Sequence, residues 1–138
     1  MAIEENEELT WRILKCAFHV QNTLGCGFLE KVYENAMIIA LRKEGLQAEQ
    51  QVPMQVFYEG LIVGEYVADI LVEKTVIVEI KATEDTPAFF KAQVLNYLKA
   101  TSLSTGLLVN FGKPKLDYRR LALRADRRQA VGSESASG

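Results

Sequence analysis

Apolar side chains recur every third or fourth residue from Glu7 to Leu24. Leu9, Ile13, Ala17, Val20 and Leu24 fall on one face, which predicts an amphipathic helix. Gly25 and Gly27 bracket Cys26 and end it. The same period returns from about Phe28 to Glu44, with Leu29, Val32, Ala36, Ile39 and Ala40 on the core side. Gly45 stops this second helix, and Arg42 and Lys43 stand in its last turn, where cations suit the helix dipole. The pattern then changes to strand-like runs. "AEQQVPMQVFYE" predicts a strand, with Pro53 favouring an edge or a bulge. "GLIVGEYVADILVE" predicts a second, opened by a turn at Glu59-Gly60, and "TVIVEIKA" a third. A helix is expected from near Pro87 to about Thr101, then the apolar strand "TGLLVNF". The stretch around "YRRLALR" reads as a last strand. The order is α-α-β-β-β-α-β-(β), an α/β domain with helices layered on a mixed sheet. One domain is expected over residues 1–128, and the small polar residues of 129–138 are expected to form a disordered tail.

Composition narrows the picture without redrawing it. A chain of 138 residues can bury one real core, and 49% hydrophobic with 25% charged residues is ordinary for a globular protein. No apolar run approaches the ~20 residues that span a bilayer, so no membrane partner is expected. The acidic start "MAIEENEELT" lacks the features of a signal peptide. Cys16 and Cys26 show no metal-ligand or redox spacing; packing is their expected role and a reducing cytoplasm the expected location. Net charge is −2, unevenly spread: residues 113–128 hold seven Lys or Arg and two Asp. Such a basic end can attract phosphate backbones or can be a solvated face.

The third strand carries chemistry. In "VIVEIKA", Glu79 and Lys81 interrupt an apolar run and point to the same face, ~7 Å apart along the strand. The second and third strands are joined by "EKT". A turn centred on Lys74 sets Val72 against Val76, Ile70 against Val78 and Asp69 against Glu79. Two carboxylates opposed ~4.5–5.5 Å apart repel and raise each other's pKa, and a divalent cation between them removes the conflict. A two-residue turn would shift this register and part the acids. Taken alone, Asp and Glu on an exposed hairpin face are common surface features.

These residues resemble a known family. "VADILVEKTVIVEIKA" is similar to the core signature of the PD-(D/E)xK nuclease superfamily, an Asp on one strand followed by (D/E)-x-K on the next. "VQNTLGCGFLEKVYENAM" resembles the characteristic segment of its GxxExxY branch, with Gly27, Glu30 and Tyr33 in the named positions. "AQVLNYLKATSLSTGLLVNFG" is similar to that branch's following helix and strand. Gln21, Cys26 and Phe90 depart from it, standing where His, Pro and His are usual.

The resemblance implies a restriction-endonuclease-like core and hydrolysis of phosphodiesters, in DNA by expectation, with Mg²⁺ or Mn²⁺. It implies that Asp69, Glu79 and the Ile80 carbonyl hold the metal, that Glu30 from an N-terminal helix completes the site, and that Lys81 serves the attacking water and the phosphate charge. Gln93 and Tyr97, one helical turn apart, resemble a Q-x-x-x-Y element that contacts water or backbone in some relatives. Tyr33 either bonds into the site or packs. His19, the one histidine, reads as an inter-helix residue or a substrate contact. Two alternatives remain: a nuclease-fold module that binds nucleic acid without activity, and a partner-binding domain that forms a homodimer through its apolar helices.

Overall fold

A computed structural model describes residues 6–123 of the chain; the expected tail at 129–138 and the basic residues from 124 onward lie outside the described residues. The element order is α1 (Glu7–Leu24), α2 (Glu30–Lys43), β1 (Ala48–Tyr58), β2 (Leu61–Val72), β3 (Val76–Lys81), α3 (Ala88–Ala100), β4 (Thr105–Asn110) and β5 (Asp117–Ala122). The expected elements are all present, and the last stretch is a strand.

The α1–α2 connection shows how local chemistry sets the later site. Gly25 and Gly27 take positive φ, and Leu29 is extended, so α2 starts at Glu30 rather than at Phe28. Tyr33 closes this turn from below. Its hydroxyl donates to the Gly25 carbonyl (2.6 Å) and accepts from the Phe28 amide (3.2 Å). Its ring is fully buried and stacked on Phe111 at 4.7 Å. Cys16 is buried as expected, but Cys26 is exposed at the tip of the turn, so it packs against nothing in the core.

The five strands lie in the order β1-β2-β3-β4-β5. Neighbours are antiparallel except β3 and β4, which run parallel with α3 as the crossover. β1 is an edge strand, and Pro53 is exposed on it. The β1–β2 hairpin turns at Glu59 and Gly60, both with positive φ as a two-residue hairpin turn requires. Between β2 and β3, Glu73 and Lys74 also take positive φ, and the register pairs Val72 with Val76 and Ile70 with Val78, as expected.

Helices cover both faces. Against α1 and α2 lie Ile70, Val72, Val78, Ile80 and Val109 among others; against α3 lie Tyr66, Ala68, Leu71, Ile77 and Leu121. One departure from strand alternation stands out. Ala68 and Ile70, two apart, belong to opposite cores, and so do Ala48 and Val52. Both strands therefore exchange faces at one level, the step between the Gln50–Ile70 and Val52–Ala68 pairs that holds Gln51 and Asp69. Gln51 has φ 54, a left-handed backbone within a strand. A single irregular residue per strand is enough to send all later side chains to the other face.

Candidate functional site

The strand irregularity determines where the two acids go. The β2–β3 pairing is regular as far as Ile70–Val78, one step short of Asp69 and Glu79. Beyond it, side chains replace ladder bonds. Asp69 Oδ2 accepts from the Ile80 amide at 2.8 Å, and Glu79 Oε1 lies 3.4 Å from the Asp69 amide. The acids thus stand beside each other, each leaning on the other strand's backbone, rather than as the directly opposed pair of a flat ladder. Because an extended residue points its N–H and C=O to the same edge, the Ile80 carbonyl faces this gap too.

Glu79 is only 9% exposed. Burial, and next the charge of Asp69, push its carboxyl up to about 7; hydrogen bonds from Tyr66 and the Asp69 amide and the charge of Lys81 only partly offset this. Asp69 is raised as well, first by burial, against the pull of the Ile80 amide. The Tyr66 hydroxyl donates to Glu79 Oε1 and is itself held protonated, first by burial and then by that carboxylate.

Lys81 is half-buried, with its ammonium 4.4 Å from the centre of the Phe90 ring. Among the described residues it forms no ion pair within 4 Å. Glu30, at the first turn of α2, is close enough for its carboxyl to feel Lys81, Asp69 and Glu34. Its pKa is raised, first by desolvation, with Lys81 pulling down and the two acids pushing up. The structure therefore brings Asp69, Glu79, Lys81 and Glu30 into one electrostatic neighbourhood, with the Ile80 backbone between them.

Other residues at this place went unread in the sequence. Glu34, one turn after Glu30, is 3% exposed. Its carboxylate accepts from Lys31 (2.8 Å), from Gln51 (2.9 Å) and from Gln50. Gln51 Nε2 also reaches Asp69 Oδ1 at 3.4 Å. Tyr66 is the fourth. The available signals were the i, i+4 spacing of Glu30 and Glu34 on one helical face and the Gln50-Gln51 pair inside a strand.

The remaining candidates fall in three places. Tyr97, on α3, stacks on Tyr66 with ring centres 3.5 Å apart, so it touches the site through that ring. Gln93 is exposed one turn earlier on α3. Tyr33 is buried with its hydroxyl committed to the α1–α2 turn, which makes it a brace rather than a substrate contact. His19 lines a groove between α1 and α2 with Val20, Leu24, Ile39 and Lys43, and none of the clustered acids shares that groove. It is an inter-helix residue, apart from the acids.

Behind the site, Asn110 locks the loop that follows Lys81. Its side chain accepts from the Thr83 (3.1 Å) and Gly112 (2.9 Å) amides and donates to Thr86 (2.8 Å). The Phe111 amide holds the Lys81 carbonyl at 2.8 Å. Of the basic segment, Lys113 and Arg119 are committed to Asp117.

Buried Glu79 and half-buried Asp69, both raised and neither paired with a cation among the described residues, form a donor set suited to a hard divalent ion. Among the described residues no three acid, histidine or cysteine side chains are gathered closely enough to hold an ion alone. The fit therefore rests on the two acids, the Ile80 carbonyl and water, which is adequate for an ion that keeps part of its hydration shell.

Residues 7–121 match the family model of the PD-(D/E)XK nuclease superfamily. None of the curated proteins matches the sequence significantly. Among solved structures, that of SSO0001 is similar at 17% identity and a TM-score of 0.53, covering 96% of this chain and 67% of that one. An alkaline exonuclease from Laribacter hongkongensis is similar at 13% identity and a TM-score of 0.41, with 99% and 79% covered. No helix among the described residues is long and apolar enough to cross a membrane.

Proposed function

The chain belongs to the PD-(D/E)XK nuclease superfamily, and on that footing we propose that it is a divalent-metal-dependent nuclease that hydrolyses phosphodiester bonds in DNA. The observation that carries this reading is the convergence of half-buried Asp69 and buried Glu79, neither paired with a cation among the described residues, beside Lys81. The spacing of Gly27, Glu30 and Tyr33 supports the GxxExxY branch. Two free thiols, one exposed, suit a reducing cytoplasm.

Asp69, Glu79 and the Ile80 carbonyl would hold Mg²⁺ or Mn²⁺, with Glu30 on α2 reaching the ion through its bound water. When bound, such an ion lowers the pKa of water and polarises a phosphoryl oxygen. The chain's own groups do the rest. Lys81 brings a positive charge to the phosphate oxygens as they gain charge; its ammonium lies over the Phe90 ring, near enough for Glu30, Asp69 and Glu79 to feel it. The Ile80 amide fixes the Asp69 carboxylate, and Tyr66 fixes Glu79. Gln93 and Tyr97, along one face of α3, extend the site towards the nucleic-acid backbone.

The test is cleavage of single- and double-stranded DNA by purified protein with Mg²⁺ or Mn²⁺. Chelation should stop it, and Asp69→Ala or Lys81→Ala should reduce it at least a thousandfold with the fold intact by circular dichroism. Cleavage that survives both substitutions would refute the assignment.

A further inference from the structure

Gln51 stands in a backbone conformation that side-chain-bearing residues seldom adopt, in mid-strand, at the step between the Gln50–Ile70 and Val52–Ala68 pairs that also holds Asp69. No turn requires it: β1 continues for seven residues beyond, to Tyr58. We propose that this distortion makes Gln51 a positioning residue for Asp69, with Glu34 as its anchor. The inference rests on the nuclease reading above and deepens it.

The geometry carries the argument. Regular extension at Gln51 would keep β1 and β2 on one face, and its side chain would follow the strand alternation. The left-handed backbone instead turns the amide into the space between α2 and β2. There the one NH₂ group serves two carboxylates, Glu34 at 2.9 Å and Asp69 Oδ1 at 3.4 Å. Since the Ile80 amide holds Oδ2 at 2.8 Å, both oxygens of Asp69 are restrained, from β1 on one side and β3 on the other. A carboxylate held at both ends keeps its plane, and each oxygen retains a lone pair for a cation.

Glu34 meets the requirements of an anchor. It is buried, and its charge is answered by Lys31 and by the amides of Gln50 and Gln51. Asp69 and Glu79 receive no such cation from the described residues. The three acids thus divide into one that is satisfied and holds Gln51, and two that are left for a ligand. Glu34 therefore positions rather than ligates.

Mn²⁺ titration calorimetry on the full chain, without nucleic acid, tests this together with urea unfolding in EDTA. Gln51→Gly removes the amide but suits the left-handed backbone. It should bind Mn²⁺ about tenfold more weakly than wild type while unfolding at the same or a higher urea concentration. Gln51→Asn, which tolerates the same backbone and keeps an amide, should recover part of the affinity. Equal Mn²⁺ affinity in wild type and Gln51→Gly overturns the inference and leaves the nuclease reading standing. Lower stability accompanying the lower affinity, or loss of cooperative unfolding in both variants, makes Gln51 structural and overturns it as well. No Mn²⁺ binding by wild type would overturn the metal site and this inference with it.

Discussion

Replacing Glu79 by glutamine is expected to make the metal-free protein more stable above neutral pH. Glu79 is buried beside Asp69, and its carboxyl is raised from an ordinary 4.5 to about 7, burial being the first cause and Asp69 the second. Between these values the folded chain keeps a proton that the unfolded chain has lost. Stability contributed by that proton is present at acid pH and is lost as pH rises through about 4.5 to 7. Above 7 both states are ionised and the fold carries the whole cost. At about 1.36 kcal/mol per pH unit, the gap amounts to about 3 kcal/mol. Glutamine has nearly the same shape and can still accept from Tyr66, but it gives up the stronger charged hydrogen bonds. A net gain of about 1–3 kcal/mol at pH 8 is expected. Urea unfolding in EDTA from pH 5 to pH 8.5 reads this directly, since such a gain moves the midpoint by about 1 M. The wild-type midpoint should fall across the range and the variant's should stay flatter. Parallel curves, or a variant less stable than wild type at pH 8, would refute the reasoning. Saturating Mn²⁺ at a hundred times its Kd should return about 2.7 kcal/mol to wild type and less to the variant.

Lys81→Met should abolish DNA cleavage yet bind Mn²⁺ at least as tightly as wild type by calorimetry, because a positive charge near the acids has been removed. Tyr66→Phe should lower urea stability at pH 8 by about 1–2 kcal/mol, since buried Glu79 loses a donor. Tyr33→Phe should cost about as much, by releasing the Gly25–Phe28 turn, and should leave Mn²⁺ affinity unchanged. Gly112→Ala should destabilise by about 1–3 kcal/mol in the same assay, because a Cβ there would collide with the Thr83 backbone.

Elements and register were legible because each had a local cause. The apolar period set α1, and the three-residue turn centred on Lys74 set the β2–β3 pairing. The start of α2 was misplaced by two residues because the hydrophobic pattern continues through Phe28 and Leu29 while the backbone, freed by Gly27, does not. The exchange of faces at Gln51 and Asp69 could not be read. Both sides of this sheet are covered, so apolar alternation reports burial but not which layer does the burying. Glu34, Gln50, Gln51 and Tyr66 share that cause: their roles depend on a kink with no composition of its own. Asp69, Glu79 and Lys81 could be found because charges inside an apolar run are conspicuous. Cys26 shows the opposite error, where residue type suggested the interior and two glycines carried the thiol outward.

The stacked rings of Tyr66 and Tyr97 give the acids a dry back and a wet front. Beside Glu79 lies buried Tyr66, backed by half-buried Tyr97, while exposed Glu30 and half-buried Lys81 border the solvent. A cation is therefore least screened from Glu79 on the side of the rings and most screened where Glu30 and Lys81 meet water.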